Sequence, residues 1–490
     1  MLKIFKKNYI KYNSNYRVLE KVFFFCFAIF IFFSIYFSYK NQFYFHNGDS
    51  AFLVDLINNI GATNIFNSSI YNSFYYFAPY LSANSESYCT LNLHDTNFVP
   101  NMLKYGHAYL IAFPISLFTK IGIEALSVSA FVFTLNYFLV FLFIFFFLKK
   151  KTNLIIAGIF TFALIIWQPV SSGIVGQLYF DRLFILPMTL IIFFYYNLDK
   201  SKFYFYFIIA LSLLNLLIHE RAALMTGFFL VSYSLLNFNS RLFFNKKIFF
   251  LLILGFLLIL YYYIYSRYFQ VSYYQSSIEL KTLLHNLYKI FLDATYANLS
   301  KNLFFVVVPL LLLSYSNFRL FLISIIAVIP NFIVTVGGAE KTSFGTHYHS
   351  YYIPFLIASA TIGFCYYCKK KNNLKIYFIL VLFFLYNHTI DPGNTKNWIK
   401  FKKINYDQVK FYRYIFYPFN KENRKYYHKE YFSKSEEIKN QIPISSSSVS
   451  LTEGMTPFFI GYNNISIFPL GVGKNEFIID TSLIFRVTVC

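Results

Sequence analysis

Histidine, carboxylate and arginine side chains gather in a few short stretches of this sequence, each where a long apolar run ends. A carboxylate or an imidazole takes up a proton from a reacting group, and an arginine stabilises a developing negative charge. Ionisable groups at the edge of an apolar run are costly, so their positions indicate function. The candidates are His46, Asp49, His94, Asp95, Asp181, Arg182, His219, Glu220, Arg221 and His347.

The apolar runs between these stretches predict an α-helical polytopic membrane protein. Of all residues 57% are hydrophobic and 13% are charged, too few charges for a soluble chain of 490 residues. A spanning helix needs about 20 apolar residues, and about eleven runs approach that length. The predicted spans are 19–39, 123–148, 153–169, 182–198, 203–219, 222–238, 248–266, 302–315, 319–336, 348–368 and 374–389.

The basic residues predict the orientation of these helices. The net charge is +22, but outside the tail most lysines lie in short connectors such as Lys149–Lys151 and Lys369–Lys371. Positive connectors stay in the cytoplasm, and this pattern argues against nucleic acid as a partner. The first run, near Val22 to Tyr39, lacks a signal cleavage site and reads as a retained anchor. The expected location is a bacterial inner (plasma) membrane, with a cytoplasmic N-terminus and lipids as partners.

Two large segments then lie outside the cell membrane. The first is the loop 40–122, in which the short apolar segment 106–118 is interpreted as an interfacial helix. The second is the tail 391–490, whose last part alternates strand-like and helix-like pieces and predicts a small α/β module. The chain therefore divides into a membrane domain, 1–390, and an extracytoplasmic module, 391–490.

With this topology all the candidate residues face the outer side. Asp49 precedes an amphipathic run from Phe52 to Ile60 and is expected near a helix N-terminus, either as a plain N-cap or as a functional carboxylate. Asp55, within that run, is expected on its solvated face. His347 and His349 are two residues apart, so an extended strand would point them to opposite sides.

A first span, a long outer loop with an early aspartate and two interfacial helices resemble the GT-C glycosyltransferases. The chain is also similar to a family of multi-pass membrane proteins known only as a domain of unknown function. Four segments and part of the tail carry this second resemblance. They are 49–61, LHDTNFVP at 93–100, LLIHERAAL at 216–224, THYHSYYIPFL at 346–356, and tail residues 442–470.

The GT-C resemblance implies a polyprenyl-phosphate-linked sugar donor, with Asp49 as base or metal contact. Arg182, Arg221 and His347 are then candidates for binding the lipid phosphate, although Glu220 could instead neutralise Arg221 as a structural ion pair. His94 and Asp95 could join Asp49 around a divalent cation, but no recognised metal-site spacing is present, so no cofactor is assigned. The resemblance predicts that Asp49, His94, Arg182, Glu220 and His347 line one outward-facing cavity.

Two other functions stay open at this point. One is a transporter or flippase of lipid-linked saccharides, which charged residues deep within several spans and inverted repeats would favour. The other is a non-catalytic membrane scaffold whose tail binds a partner. The outer carboxylates favour the sugar transferase over the scaffold.

Overall fold

The fold is built almost entirely of helices, with one small sheet in the tail. The computed structural model describes most of the first helix and the helical domain, and part of the tail. The described residues are 24–40, 48–68, 107–175, 178–237, 246–269, 294–333, 347–369, 429–443, 448–451, 453–462, 464–467 and 477–479, with a few isolated positions.

The helices follow one another with short connections. Short 3₁₀ helices at Phe180–Phe184, Leu198–Lys200 and His347–Tyr351 lie between them. The α-helices are α1 Phe24–Lys40, α2 Gly48–Thr63, α3 Ala112–Lys120, α4 Ala125–Lys149, α5 Leu154–Ile166, α6 Gln168–Val175, α7 Ile185–Tyr196, α8 Lys202–Ile218, α9 Glu220–Leu236, α10 Lys246–Ile264, α11 Ala294–Ser314, α12 Phe318–Ile333, α13 Ile353–Lys369 and α14 Lys429–Gln441.

Three helices of the described part are long and apolar enough to cross a membrane: Ala125–Lys149, Lys246–Tyr268 and Tyr348–Cys368. Large apolar side chains such as Phe203, Phe207 and Phe256 are exposed on the helices, as expected of surfaces that meet lipid. Helices also occupy the other predicted spans, except 374–389, of which only Ile379 is described. The helical fold is therefore confirmed, and the count of eleven spans stays a prediction.

Basic connectors and candidate site residues lie at opposite ends of the helices. Helices α8 and α9 are joined by a single residue, His219, and the chain folds back there, since Asn215 Nδ2 in α8 donates to Thr226 Oγ1 in α9 at 2.9 Å. At the far end of α9, Asn237 accepts a hydrogen bond from Arg319 at the start of α12. The end that carries His219 also holds the 3₁₀ helices Phe180–Phe184 and His347–Tyr351.

Helices α9 and α10 approach each other closely at two glycines. A Cβ added to Gly227 would lie 2.6 Å from the backbone oxygen of Gly255, and one on Gly255 would lie 3.0 Å from the oxygen of Gly227. Small residues at such a crossing let two helix backbones pack together, which is a common way to associate helices in a membrane.

We expect Gly227→Ala to destabilise the folded protein by about 1–3 kcal/mol, because the new methyl group must push α10 away. Gly158→Ala, in the interior of α5, is the matched control, since nothing lies within 4 Å of its added Cβ. Alanine there should stabilise slightly, by about 0.5–1 kcal/mol. Thermal unfolding in detergent measures both; an equal melting temperature for the two variants would contradict the close packing.

The first-loop helix α2 is covered by α3 on one side and by the tail on another. A Cβ on Gly61 would overlap the Thr119 side chain, and Phe66 stacks on Phe113 with ring centroids 5.3 Å apart. In the tail, strands β1 Ser448–Leu451, β2 Asn464–Ile467 and β3 Phe477–Ile479 form a parallel sheet in the order β2-β1-β3. The 3₁₀ helix Glu453–Phe458 contacts α2.

Asp55 is buried in this contact, so the expectation that it lies on a solvated face is wrong. Ser68 Oγ donates to Asp55 Oδ2 at 2.6 Å, and Asn59 Nδ2 donates to the same oxygen at 3.2 Å. The backbone N–H of Gly461, in the tail, also faces the carboxylate. Burial raises the pKa of Asp55 to about 6, although these donors lower it in part.

This raised pKa predicts that the protein loses stability as the pH rises. The folded state holds the Asp55 proton more tightly than the unfolded chain, whose pKa is near 3.8. The contribution of Asp55 to the free energy of unfolding is complete below pH 4 and is lost as the pH rises past 6. The total loss is about 3 kcal/mol, because each unit of pKa difference corresponds to about 1.36 kcal/mol. Unfolding of wild type and Asp55→Asn from pH 4 to 8 should show this loss in the wild type relative to the variant; parallel curves would refute it.

Candidate functional site

Four buried segments meet at one end of the helices. They are the 3₁₀ helix Phe180–Phe184, the α8–α9 junction, the 3₁₀ helix His347–Tyr351, and the residues just before α3. Backbone and ring contacts join them: the Ile111 N–H donates to Leu217 O at 2.8 Å, and the Tyr109 ring contacts Phe180. They bring together a cluster of buried polar side chains around Glu220.

Glu220 is the centre of the cluster and is 1% exposed. Its Oε1 lies 2.5 Å from His107 Nδ1, and the backbone N–H of Ala108 donates to its Oε2 at 3.3 Å. His219 Nδ1 lies 3.3 Å from the same Oε2. The carboxylate therefore lies between two imidazole rings, whose centroids are 4.2 Å apart.

His219 is the N-cap of α9, and this position determines the orientation of its ring. Its Nδ1 accepts the backbone N–H of Arg221 at 2.9 Å. A neutral imidazole that accepts at Nδ1 carries its proton on Nε2. His219 Nε2 faces Asp181 Oδ1 at 3.4 Å, so the ring connects the two buried carboxylates.

Asp181 is fully buried on the other side of His219. The Tyr351 hydroxyl donates to its Oδ1. Its Oδ2 has no hydrogen-bond partner among the residues that the structure describes. Burial raises the pKa of Asp181 to about 6, opposed most by the charge of His107. A buried carboxylate oxygen without a partner is costly, and such an atom is a candidate for contact with a substrate.

The two candidate arginines lie in different surroundings. The Arg221 guanidinium lies over the Tyr348 ring, 5.7 Å from its centroid. Arg182 is 1% exposed. A Cβ added to Gly173 would lie 2.6 Å from Arg182 Nη1 and 2.6 Å from the Tyr137 hydroxyl, so both groups pack against this glycine. Arg221 therefore adjoins the histidine cluster, and Arg182 extends the polar region towards α4 and α6.

The start of α2 joins the same region. Ser50 Oγ accepts the backbone N–H of Leu178 at 3.1 Å, and the Phe52 ring contacts Tyr179 at 6.0 Å. Asp49 is the second residue of α2, so its backbone lies at the helix end that contacts the segment leading to Asp181.

The structure brings together Asp181, His219 and Glu220 of the predicted set, with Arg221 beside them. The Glu220 carboxylate contacts the two histidines, and the charge of Arg221 also acts on it, so the alternative that Glu220 neutralises Arg221 stays a prediction. His347 and His349 lie on a 3₁₀ helix, so the extended strand expected there is wrong, and His349 Nδ1 is 2.9 Å from Tyr352 Oη. His46, His94, Asp95 and the side chains of Asp49 and His347 lie outside the described part.

Sequence reasoning missed His107 and Tyr351. His107 lies in the segment 106–118, for which the sequence predicts only an interfacial helix, whereas the helix itself begins at Ala112. A histidine immediately before an apolar run was the available signal, the same as at His219. Tyr351 is one of 45 tyrosines, so its residue type gave no contrast.

The arrangement has the parts of a proton-transfer site: the Asp181 carboxylate, whose buried Oδ2 has no partner among the described residues, the His219 imidazole between it and Glu220, and a nearby cation. Its histidines and carboxylates are also metal ligands by type, and His107, His219 and Glu220 place ligand atoms within 4.8 Å of one another. No protein-family model, no curated protein and no solved structure matches this chain.

Proposed function

We propose that this protein is a glycosyltransferase that moves a sugar from a polyprenyl-phosphate donor to an acceptor on the outer face of the bacterial plasma membrane. The observation that carries the proposal is the buried Asp181–His219–Glu220–His107 cluster at the helix end to which α2 docks. The GT-C resemblance, in which an acidic residue of the first outer loop acts as base or metal contact, is a further support.

The reaction needs a base at the acceptor. As the acceptor oxygen bonds to the anomeric carbon, the bond from that carbon to the donor phosphate breaks and the hydroxyl proton leaves. Asp181 is assigned as the group that receives this proton on Oδ2, because Oδ1 is already occupied by the Tyr351 hydroxyl. Asp49 is assigned to the acceptor or donor sugar from the end of α2.

The leaving group is a lipid phosphate, whose developing charge needs cationic partners. Arg221 is assigned this role first, because it adjoins Glu220 and lies beside the 3₁₀ helix His347–Tyr351. Arg182 is the second candidate. A buried guanidinium presents several N–H donors in a fixed plane, which suits a phosphate better than a lysine does.

The lipid tail of the donor requires a path through the membrane. The exposed apolar faces of α1, α8 and α10 supply lipid-facing surfaces, and they lead to the helix end that holds the cluster. Eleven spans with the tail outside would place that end at the outer leaflet, where lipid-linked sugars are used.

The test is transfer of radiolabelled sugar by the purified protein in proteoliposomes, with a panel of polyprenyl-phosphate sugars and total membrane acceptors. Transfer above that of protein-free liposomes, dependent on one donor of the panel, is the expected result. Movement of labelled donor between leaflets without transfer would indicate a flippase instead. If no donor of the panel is transferred or moved, an action on lipid-linked sugars is refuted.

A further inference from the structure

The buried cluster around Glu220 has the composition of a zinc site. The side chains of His107, His219 and Glu220 are 5%, 1% and 1% exposed. One ligand atom from each lies within 4.8 Å of the others. Two imidazoles and one carboxylate are a set that zinc takes when its fourth position stays open for a water or a substrate.

We propose that His107, His219 and Glu220 bind one divalent cation of the zinc type, both histidines through Nδ1. The site is the one used by the proposed function, but metal binding is measured without any transfer reaction. A protein that binds no metal could therefore still transfer sugar, and a protein that transfers no sugar could still bind the metal.

The distances suit a single ion between these groups. Glu220 Oε1 is 2.5 Å from His107 Nδ1, and Oε2 is 3.3 Å from His219 Nδ1. Ligands placed tetrahedrally around zinc are about 3.3–3.6 Å apart, given bonds of about 2.0–2.2 Å. The 3.3 Å contact with His219 already fits this spacing, whereas the 2.5 Å contact requires His107 Nδ1 to move away from Glu220 when the ion enters.

Asp181 supplies the outer partner that such a site requires. A histidine that binds a metal through one nitrogen commonly donates its other N–H to a carboxylate, which orients the ring. His219 Nε2 faces Asp181 Oδ1 at 3.4 Å, and the Tyr351 hydroxyl holds that carboxylate. Asp181 Oδ2, buried and without a partner among the described residues, is the second sign that the cluster takes a ligand.

Metal binding has one visible cost. His219 Nδ1 accepts the N–H of Arg221, and a metal on Nδ1 would replace that hydrogen bond. One N-cap hydrogen bond is weak beside the binding free energy of zinc in a three-ligand site, so the exchange favours the metal.

The ligand set also selects among cations. Mg²⁺ and Ca²⁺ prefer oxygen ligands, whereas imidazoles suit zinc and neighbouring transition metals. The probe is therefore Zn²⁺ itself, with Mg²⁺ as the ion expected not to bind.

The first measurement is the zinc content of the purified full-length protein, equilibrated with buffered Zn²⁺ and analysed by mass spectrometry. We expect about one zinc per chain in the wild type, by the ligand count of a single site. His107→Ala and Glu220→Gln should lose it. His285→Ala should keep it, since His285 is an exposed histidine outside the cluster.

A wild-type measurement keeps the proposal testable if the variants do not fold. Chelator-treated wild type should melt at a higher temperature after Zn²⁺ is added and unchanged after Mg²⁺, and Co²⁺ should give the visible absorption of a tetrahedral site. A wild type that holds no zinc and does not respond to it would overturn the proposal. So would full zinc content in a folded His107→Ala variant.

Discussion

Glu220→Gln is expected to lower the stability of the folded protein by about 3–5 kcal/mol, because removal of one partner from a buried charged cluster leaves the others uncompensated. Glutamine keeps the volume of the side chain, so no cavity contributes to this loss. Its single amide oxygen cannot accept both from the Ala108 N–H and from His107 Nδ1, which the two carboxylate oxygens now contact. Unfolding in detergent, followed by circular dichroism, measures the change.

Glu124→Gln is the matched control for this prediction. Glu124 pairs with Lys40 at 3.3 Å, but its side chain is 57% exposed. An exposed ion pair is worth about 0–1 kcal/mol, so the control should unfold close to the wild type. Equal melting temperatures for the two variants would show that Glu220 contributes no more than a surface carboxylate.

The helices were predictable because a local sequence pattern determines each of them. Apolar runs of sufficient length bounded by lysines, such as the run ending at Lys149, mark a helix whatever the rest of the chain does. The boundaries agree to within a few residues for α4 and α10. The pairing of helices depends on contacts between residues far apart in sequence, such as Gly227 and Gly255, and no local pattern predicts such contacts.

The candidate site was predictable in part for the same reason. Sorting ionisable residues by the end of the helix placed Asp181, His219 and Glu220 in one region, and the structure places them in contact. It could not pair Glu220 with His107, because these residues are 113 positions apart. The local sequence indicated only the neighbour Arg221, whose charge does act on Glu220, and gave no sign of the contact with His107.

Asp55 shows how a helical pattern can mislead about exposure. In an amphipathic helix a charged residue is normally placed on the solvated face. Here α2 is covered by α3 and also by the tail, so the side of the helix that carries Asp55 is buried as well. The three donors around its carboxylate come from Asn59, from Ser68 and from Gly461 in the tail, the last of them far away in sequence.

Asp181→Asn is expected to lower sugar transfer by about 100- to 10,000-fold, the usual contribution of a general base. The substitution removes basicity and little else. An asparagine oxygen at the position of Oδ1 still accepts from the Tyr351 hydroxyl and still faces His219 Nε2. Its NH₂ group would replace the Oδ2 oxygen that is assigned to the acceptor proton. Initial rates at saturating donor measure the effect, with the variant's melting temperature showing that the fold is intact.

Asp199→Asn is the matched control, because Asp199 is exposed in the 3₁₀ helix Leu198–Lys200 at the opposite end of α7. It should transfer sugar at the wild-type rate. Asp49→Asn separates the two candidate carboxylates: if Asp49 is the base, its variant loses transfer and Asp181→Asn keeps most of it. Loss in Asp181→Asn with a smaller effect in Asp49→Asn would place the proton acceptor in the buried cluster, since a group that only positions the sugar changes the donor KM more than the rate at saturation.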